Sequence, residues 1–456
     1  MAEETTYKFY LKYLFRSKSA LAAIVVILFF VGLAVYVSTW PKSVSTNYLY
    51  NTQYYENTYP EDAAPSWMAV LEPSQYSPSL YLNPKEVKLY GSVSSSNIYE
   101  YELTFSFDWS SEKVPTDVVF VFSANTTMQT IQVLWKKPSG SQITFSQTPS
   151  VSKYSFDLSY VTSALLSYIL QKTGQVPTLQ TTSVLATALF SNFSEKSAGP
   201  AEKGTYTVTV LIGTSGPAKF YAAQVRVLGN AYGLMGTDSY GRPILQGILL
   251  GLPNALEIGV VTSLLGVLIG VFVGGFAGFL GGKADAGLNW FSTVILALPV
   301  LPFLVTLGIM LKSSLTIMSE VLLITFLSWP GYAIIARSSA QSIRTNAFVE
   351  ADRLMGIPSY RTFFTHFLPR LVPFIVAYTV LGIPGAILLV QTLAFIGVAP
   401  ANIVTWGGIL DAAYDYNAAL NGWWWWLLFP GLMIVFVSIP FVVVGFVIER
   451  ASFGGR

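Results

Sequence analysis

Long, nearly uncharged apolar runs constrain this chain more than any other feature. Ala20 to Val37 carries no charge, and further runs extend over about 255–281, 287–311, 317–337, 372–396 and 425–448. Each is close to the roughly 20 residues that an α-helix needs to cross hydrocarbon. There the backbone must satisfy its own polar groups, which a helix does. Only 11% of the 456 residues are charged and 52% are hydrophobic, against about 25% charged in an ordinary soluble domain. The sequence therefore predicts an α-helical polytopic membrane protein of about six transmembrane helices, in contact with a lipid bilayer.

Charge and rare residues narrow the function. A net charge of +2 with no Lys/Arg-rich run gives no reason to expect a nucleic-acid partner. Cysteine is absent, which removes disulfides, thiolate metal sites and cysteine nucleophiles. A single histidine, His366, leaves no His-based metal cluster and no His-dependent triad. Neither a cofactor nor a catalytic centre is expected.

Lys8, Lys12, Arg16 and Lys18 precede the first run. A signal peptide has a similar basic start, but its apolar core is about 7–15 residues and ends at small residues. This run is longer and ends in Tyr36, Val37 and Trp40, so it reads as a retained helix, with 1–40 as cytoplasmic N-terminus plus first span. Residues 41–231 change character, with charges of both signs and no run of spanning length. Residues 41–90, rich in Tyr, Ser, Asn and Pro, read as extended or loop-like. Tyr101, Leu103, Phe105, Phe107 and Trp109 then alternate with polar residues, the period of a half-buried strand. Val118–Phe122, Ile131–Trp135, Tyr154–Tyr160, a segment from Gly204 and Phe220–Leu228 are further strands, and Val161–Gln171 a helix. The expectation is a β-rich domain of immunoglobulin-like sandwich type. Two sequons, Asn125-Thr-Thr and Asn192-Phe-Ser, suit an external location, although such triplets also arise by chance.

Residues 232–456 return to membrane character. Arg337, Arg344, Arg353, Arg361 and Arg370 surround one loop, 338–371, whereas 397–422 contains no Lys or Arg. Positive-inside logic puts that loop and both termini in the cytoplasm of a multi-pass plasma-membrane protein, with 41–231 outside. Within the loop, Phe348, Ala351 and Met355 fall on one helical face, and Glu350 can pair with Arg353 at i, i+3. Gly356 suits a left-handed helix end and Pro358 the first turn of the next helix. Phe363, Phe364 and Phe367 give that second helix an apolar face. Helix, Gly hinge and helix make a knob that could enter a partner's groove; an ordinary basic loop held by anionic lipid is the competing reading.

The spacing Glu350-Ala351-Asp352, Gly356, His366, Leu368-Pro369 resembles the EAA loop of ABC-transporter permeases. Gly236-Thr237-Asp238-Ser-Tyr-Gly241-Arg242 looks like the segment before the second span in C-type subunits of dipeptide/oligopeptide ABC permeases. Leu296–Pro302, Trp329–Tyr332 and Leu393–Gly397 are similar to that family in the expected order. The resemblance covers about 1–40 and 232–456. It implies a type I importer permease fold and half of a translocation path, for di- or oligopeptides or, alternatively, oligosaccharides. Implied partners are a second homologous permease, two cytoplasmic ATPases that dock on the loop, and an external solute-binding protein. The chain departs from the family pattern at Asp352, in place of Ala, and at His366, usually apolar. Pro243 replaces an Asp, and Val390-Gln391 stands where a Glu is common.

Gly266, Gly270, Gly274, Gly278 and Gly282 recur at every fourth position, which permits close helix approach. A direct part in the path is the alternative. Pro299, Pro302, Pro330, Pro384 and Pro440 can kink four spans. Gln391 and Thr392, polar at membrane depth, either line the path or bond between helices. Glu320 is expected to reach interfacial water, and Trp423–Trp426 to form an interfacial aromatic belt. Gly282-Lys283 lacks the Ser or Thr of a P-loop, since Ala284 follows, so ATP hydrolysis is expected in another subunit. Two rivals from other classes remain. A membrane-anchored receptor or adhesion protein explains 41–231 but not the later spans. A secondary transporter predicts paired acids in the membrane, which the runs scarcely supply.

Overall fold

The computed structural model describes residues 16–56, 58–93, 98–177, 181–194, 197–311 and 314–453. Lys8, Lys12 and Arg456 lie outside them. The chain divides into two compact units, residues 50–245 and residues 1–49 with 246–456.

Helix α1, Lys18–Ser38, is capped by Ser17, whose hydroxyl accepts from the Ala20 amide. It buries Ala20, Ala23, Phe30, Ala34 and Val37 on one stripe and leaves Val25, Leu28, Phe29 and Tyr36 exposed. A helix that exposes aliphatic and aromatic side chains over its length is suited to lipid. Helix α2 follows, Lys42–Tyr50, inside the region expected to be extended.

The unit of residues 50–245 is built on one connected eight-stranded sheet. Its strands are β1 Leu80–Leu82, β2 Glu86–Val93, β3 Ile98–Trp109, β4 Asp117–Lys136, β5 Gln142–Gln147 and β6 Val151–Phe156. Helices α3, Thr162–Thr173, and α4, Thr182–Phe190, come next. Strands β7 Ser191–Ser194 and β8 Ser197–Ala201 pair as a separate hairpin, and β9 Gly204–Thr214 and β10 Phe220–Leu228 complete the main sheet. The expected β-rich character is present, but the immunoglobulin-like pair of separate sheets is not. The two short strands expected at Val118–Phe122 and Ile131–Trp135 are one strand of 20 residues, β4. Its first half pairs with β10 and β6, as Phe120 opposite Val225 and Phe156. Its second half pairs with β9 and β5, as Val133 opposite Val210 and Phe145. The polar stretch between them reads like a turn, yet its backbone finds partners in the β9–β10 connection. Asn125 exchanges hydrogen bonds with Lys219, and the Ser215 amide donates to Thr127. The register is irregular here, as where a strand turns a corner between two sheet faces.

The core of this unit follows the period-two reading. Leu103, Phe105, Phe107 and Trp109 are buried with Phe120, Trp135, Phe190 and Tyr206. The Trp135 indole donates to the Leu189 carbonyl at 3.0 Å and the Tyr206 hydroxyl to Glu202 at 2.8 Å, so the buried polar atoms of these two rings are satisfied. Asn125 and Asn192 are both exposed.

The other unit is helical. After α2 it continues with α5 Ile244–Leu280, α6 Gly282–Leu296, α7 Val300–Met310 and α8 Ile317–Arg344. Then come α9 Ala347–Leu354, α10 Ser359–Thr362, a π-helical turn Phe363–Phe367, α11 Leu368–Phe395, α12 Trp406–Asp415 and α13 Trp424–Phe453. Among the described residues five helices are long and apolar enough to cross a membrane. A sixth crossing exists if α6 and α7 count as one span. The run expected as one span at 287–311, with Pro299 and Pro302 able to kink it, is this pair, bent by 75°. Pro299 is the N-cap of α7 in extended conformation, and a proline cannot supply the amide that would continue α6. Pro330, Pro384 and Pro440 lie inside continuous helices instead.

Candidate functional site

Four of the five regularly spaced glycines on α5 face α8. A Cβ on Gly270 would meet the Ala333 amide nitrogen at 2.8 Å, and one on Gly278 the Arg337 carbonyl at 2.7 Å. Gly274 lies directly against the Ala333 backbone, and Gly266 against Ser328 and Tyr332. The small-residue stripe thus brings two backbones together. Gly282 differs: it begins α6, and nothing lies within 4 Å of its Cβ position. Periodicity had no means of showing that α5 ends at Leu280.

Below this contact a charged clasp ties α6 to α8. Arg337 donates two hydrogen bonds to the two Asp285 oxygens, one of 2.7 Å, and Gln341 adds a third at 3.0 Å. Sequence reasoning did not single out Asp285. The positions are 52 apart in the chain, so no local pattern in the sequence pairs them.

The segment 347–370 is built on this base. Phe363 and Phe367 are buried against Val267, Val271 and Phe279 of α5 and Ala336 and Ala340 of α8. Phe364 points outward instead, so the expected apolar face of three is two. Gly356 has φ +72°, and the Ile357 amide donates back to the Asp352 carbonyl at 2.9 Å. That is the left-handed stop of a helix C-terminus. Pro358 is the N-cap of α10 rather than its first-turn residue.

Helix α9 is rotated relative to the sequence reading. Val349 and Asp352 face inward, and Phe348 is half-buried beneath the Arg370 guanidinium, 4.0 Å from its ring. Glu350, Ala351, Leu354 and Met355 are exposed, Leu354 at 83% and Met355 at 68%. The side chain of Arg353, and with it the expected pairing with Glu350, lies outside the described residues.

Two of the four departures from the family pattern, Asp352 and His366, meet in space. Asp352 is 7% exposed, and its Oδ2 has no hydrogen-bond partner among the described residues. The His366 Nε2 stands 3.8 Å from that oxygen, and its ring contacts Phe348 edge-on at 5.9 Å. A protonated imidazole here forms an ion pair across the Gly356 stop. Leu368 and Pro369, both half-buried, begin α11 directly after.

The Gly236–Arg242 segment is a self-contained buried turn in the other unit. The Thr237 hydroxyl donates to the Pro60 carbonyl at 2.6 Å and accepts from the Ala63 amide at 2.9 Å. Asp238 accepts from the Tyr240 and Arg242 amides at 2.9 and 2.8 Å and from the Arg242 Nε at 2.6 Å. Burial pushes this carboxyl up, while the guanidinium and two amides oppose it by favouring the charged form. Gly236 and Gly241 have φ +78° and +71°, and Gly241 lies against the Tyr59 carbonyl. Each motif residue thus has a structural task in the turn.

Gln391 is buried, and its Oε1 accepts from the Gly407 amide at 2.7 Å. It fixes the start of α12, the helix–helix alternative of the sequence reading. The Thr392 hydroxyl donates to Leu388 of its own helix at 2.8 Å. Trp425 and Trp426 are buried in protein, so an interfacial belt over Trp423–Trp426 is reduced to Trp423 and Trp424.

Together these features define a multi-pass helical membrane protein with a two-helix knob braced on two of its spans. Residues 266–452 match the family described as binding-protein-dependent transport system inner membrane component. The oligopeptide transport system permease protein OppC of Haemophilus influenzae is 27% identical over 215 residues, 47% of this chain and 68% of that protein. OppC of Mycobacterium tuberculosis H37Rv is 28% identical over 45% of this chain and 70% of its own length. A protein of Brucella suis biovar 1, named as a candidate peptide permease, is 32% identical over 45% of this chain and 68% of its own. The chain belongs to this family of transport-system membrane components.

Proposed function

We propose that the chain is a permease subunit of an ATP-driven, binding-protein-dependent importer of short peptides, forming half of its translocation path. Similarity to proteins named as oligopeptide and peptide permeases supports the peptide class over oligosaccharides. One observation carries the docking role. The knob presents Leu354 and Met355 to solvent beside Glu350 and Ala351, while its other face is fixed to α5 and α8 through Phe363 and Phe367. Exposed apolar side chains on a rigidly braced loop mark a protein-binding surface.

In this reading two ATPases approach from the cytoplasm, one of them seating on Glu350–Pro369. A second homologous permease completes the path, and a solute-binding protein delivers peptide outside. Both termini are cytoplasmic, 41–231 are external, and Asn125 and Asn192 are acceptors for glycosylation where the host provides it. ATP-driven closure of the ATPase pair moves the knob, and the α5–α8 contact carries that motion into the bundle. ATP hydrolysis resides in the partner subunits.

Copurification tests this. Glu350→Arg with Gly356→Arg should abolish ATPase association and peptide uptake while membrane insertion persists. Unchanged ATP-dependent uptake by the double variant would refute the docking role, and uptake of oligosaccharides in place of peptides the substrate class.

A further inference from the structure

Glu320 is the one acid in the first turn of α8 and was expected to reach water. It is instead 3% exposed, and neither carboxyl oxygen has a hydrogen-bond partner among the described residues. It faces a cavity of about 10 Å³ lined by Leu304 and Gly308 of α7, Leu315 of the connection before α8, Leu323 and Ile324 of α8, Leu393 of α11, and Val398. That volume suits about one water molecule and excludes a solute or a hydrated cation.

Among the described residues, none of the others that line the cavity is charged or titratable. On the adjoining segment Asp411 places its Oδ2 3.8 Å from the Cβ position of Gly397, the residue before Val398, and supplies no positive charge. Lys312, in the connection before Leu315, lies outside the described residues. The start of α8 does favour a negative charge, but the Ser319 amide there is bonded to Thr316. The helix end offsets only part of the cost of burying an unpaired carboxylate.

We propose that Glu320 is a proton-binding site of the membrane unit: its carboxyl stands in the corner between α7, α8 and α11 as the neutral acid, hydrogen-bonded to water in the cavity, and ionises only when that corner opens. Ionisation breaks the O–H bond, leaves the electron pair on the carboxylate and passes the proton to entering water. The closed corner is therefore favoured by protons and loosened as they are removed. A buried ionisable group in a span is itself a functional-site signal, and here its ligand is restricted to H⁺ by the size of the cavity.

The test is infrared difference spectroscopy of the full chain in lipid bilayers at neutral pH, wild type minus Glu320→Gln. The expected result is a protonated-carboxyl carbonyl band that the substitution removes. Both Glu320→Gln and Glu320→Met should elute monodisperse like wild type, because each replaces one neutral group by another of similar size. Thermal unfolding gives a second readout. Relative to Glu320→Gln, the wild-type unfolding constant should grow with pH, approaching about tenfold per pH unit where one proton is lost. Carboxylate bands without the acid carbonyl would overturn the proposal. So would a pH profile shared by wild type and Glu320→Gln, or failure of both neutral variants to fold.

Discussion

The Asp352–His366 contact allows a prediction with a worked magnitude. At 3.8 Å, two unit charges in a water-like dielectric attract by about 332/(80 × 3.8), or ~1.1 kcal/mol. His366 has half its side chain exposed, which keeps the effective dielectric high, so ~1 kcal/mol is the working value. The acid is in a different position, with its Oδ2 buried and otherwise unbonded. His366→Leu therefore loses the pair and strands a buried oxygen, for a total of about 1–3 kcal/mol. Asp352→Ala alone removes the stranded group and costs less. Asp352→Ala with His366→Leu restores apolar side chains at both positions and should be less destabilised than the sum of the singles by about 1 kcal/mol. The assay is thermal unfolding of the full chain in detergent, with ATPase pull-down alongside. Pull-down should fall in His366→Leu and recover in the double variant. Strict additivity, within a few tenths of a kcal/mol, would show that the two residues are merely neighbours.

Other expectations follow from the same geometry. Gly274→Leu should destabilise the membrane unit by about 2 kcal/mol or more in the same unfolding assay, because its side chain meets the Ala333 backbone. Gly287→Ala, on α6 with nothing within 4 Å, should be neutral or slightly stabilising. Asp285→Ala and Arg337→Ala should each destabilise the membrane unit by about 1–3 kcal/mol and so lower its melting temperature, with a double variant well short of additive. In the β-rich unit, burial and then repulsion from Asp157 push the Asp117 carboxyl up to about 7. A folded-state value above the unfolded one means that protons stabilise the fold, and this stability is lost between the unfolded value and about 7 as pH rises. Asp117→Asn should therefore raise the urea midpoint of the full chain at alkaline pH and change it little under acid; an equal shift at both would contradict the cause.

Much of the architecture was legible from side-chain chemistry repeated along the chain. The uncharged run in α1, the alternation in β3 and the Gly356 stop each express a local physical rule. No tertiary partner is needed for any of them to act. The β4 strand was misread for the opposite reason. Asn125 to Thr130 has turn composition, but the β9–β10 connection supplies backbone partners that keep it extended. At 287–311 hydropathy marked one span and Pro299 a place where it can kink, but the size of the bend, 75°, is set by backbone geometry that hydropathy does not carry.

The candidate site divides in the same way. Its ingredients, Glu350, Asp352, Gly356 and His366, were visible as a spacing, and the local helix–stop–helix order follows from Gly and Pro alone. Which side of α9 faces outward was decided by the surfaces of α5 and α8, which take Phe363 and Phe367 and so turn Leu354 and Met355 to solvent. The sequence could present Asp352 and His366 only as two separate irregularities. Folding back at Gly356 puts them 3.8 Å apart and makes each the counterpart of the other. The sequence by itself determined that this chain lives in a membrane and that a helix stops at Gly356, because those depend on local transfer and backbone energies. Tertiary structure alone decided which polar groups meet: Asp285 with Arg337, Gln391 with Gly407, and Glu320 with none among the described residues. Electrostatic and hydrogen-bond energies depend on distance in space, which separation along the chain does not encode.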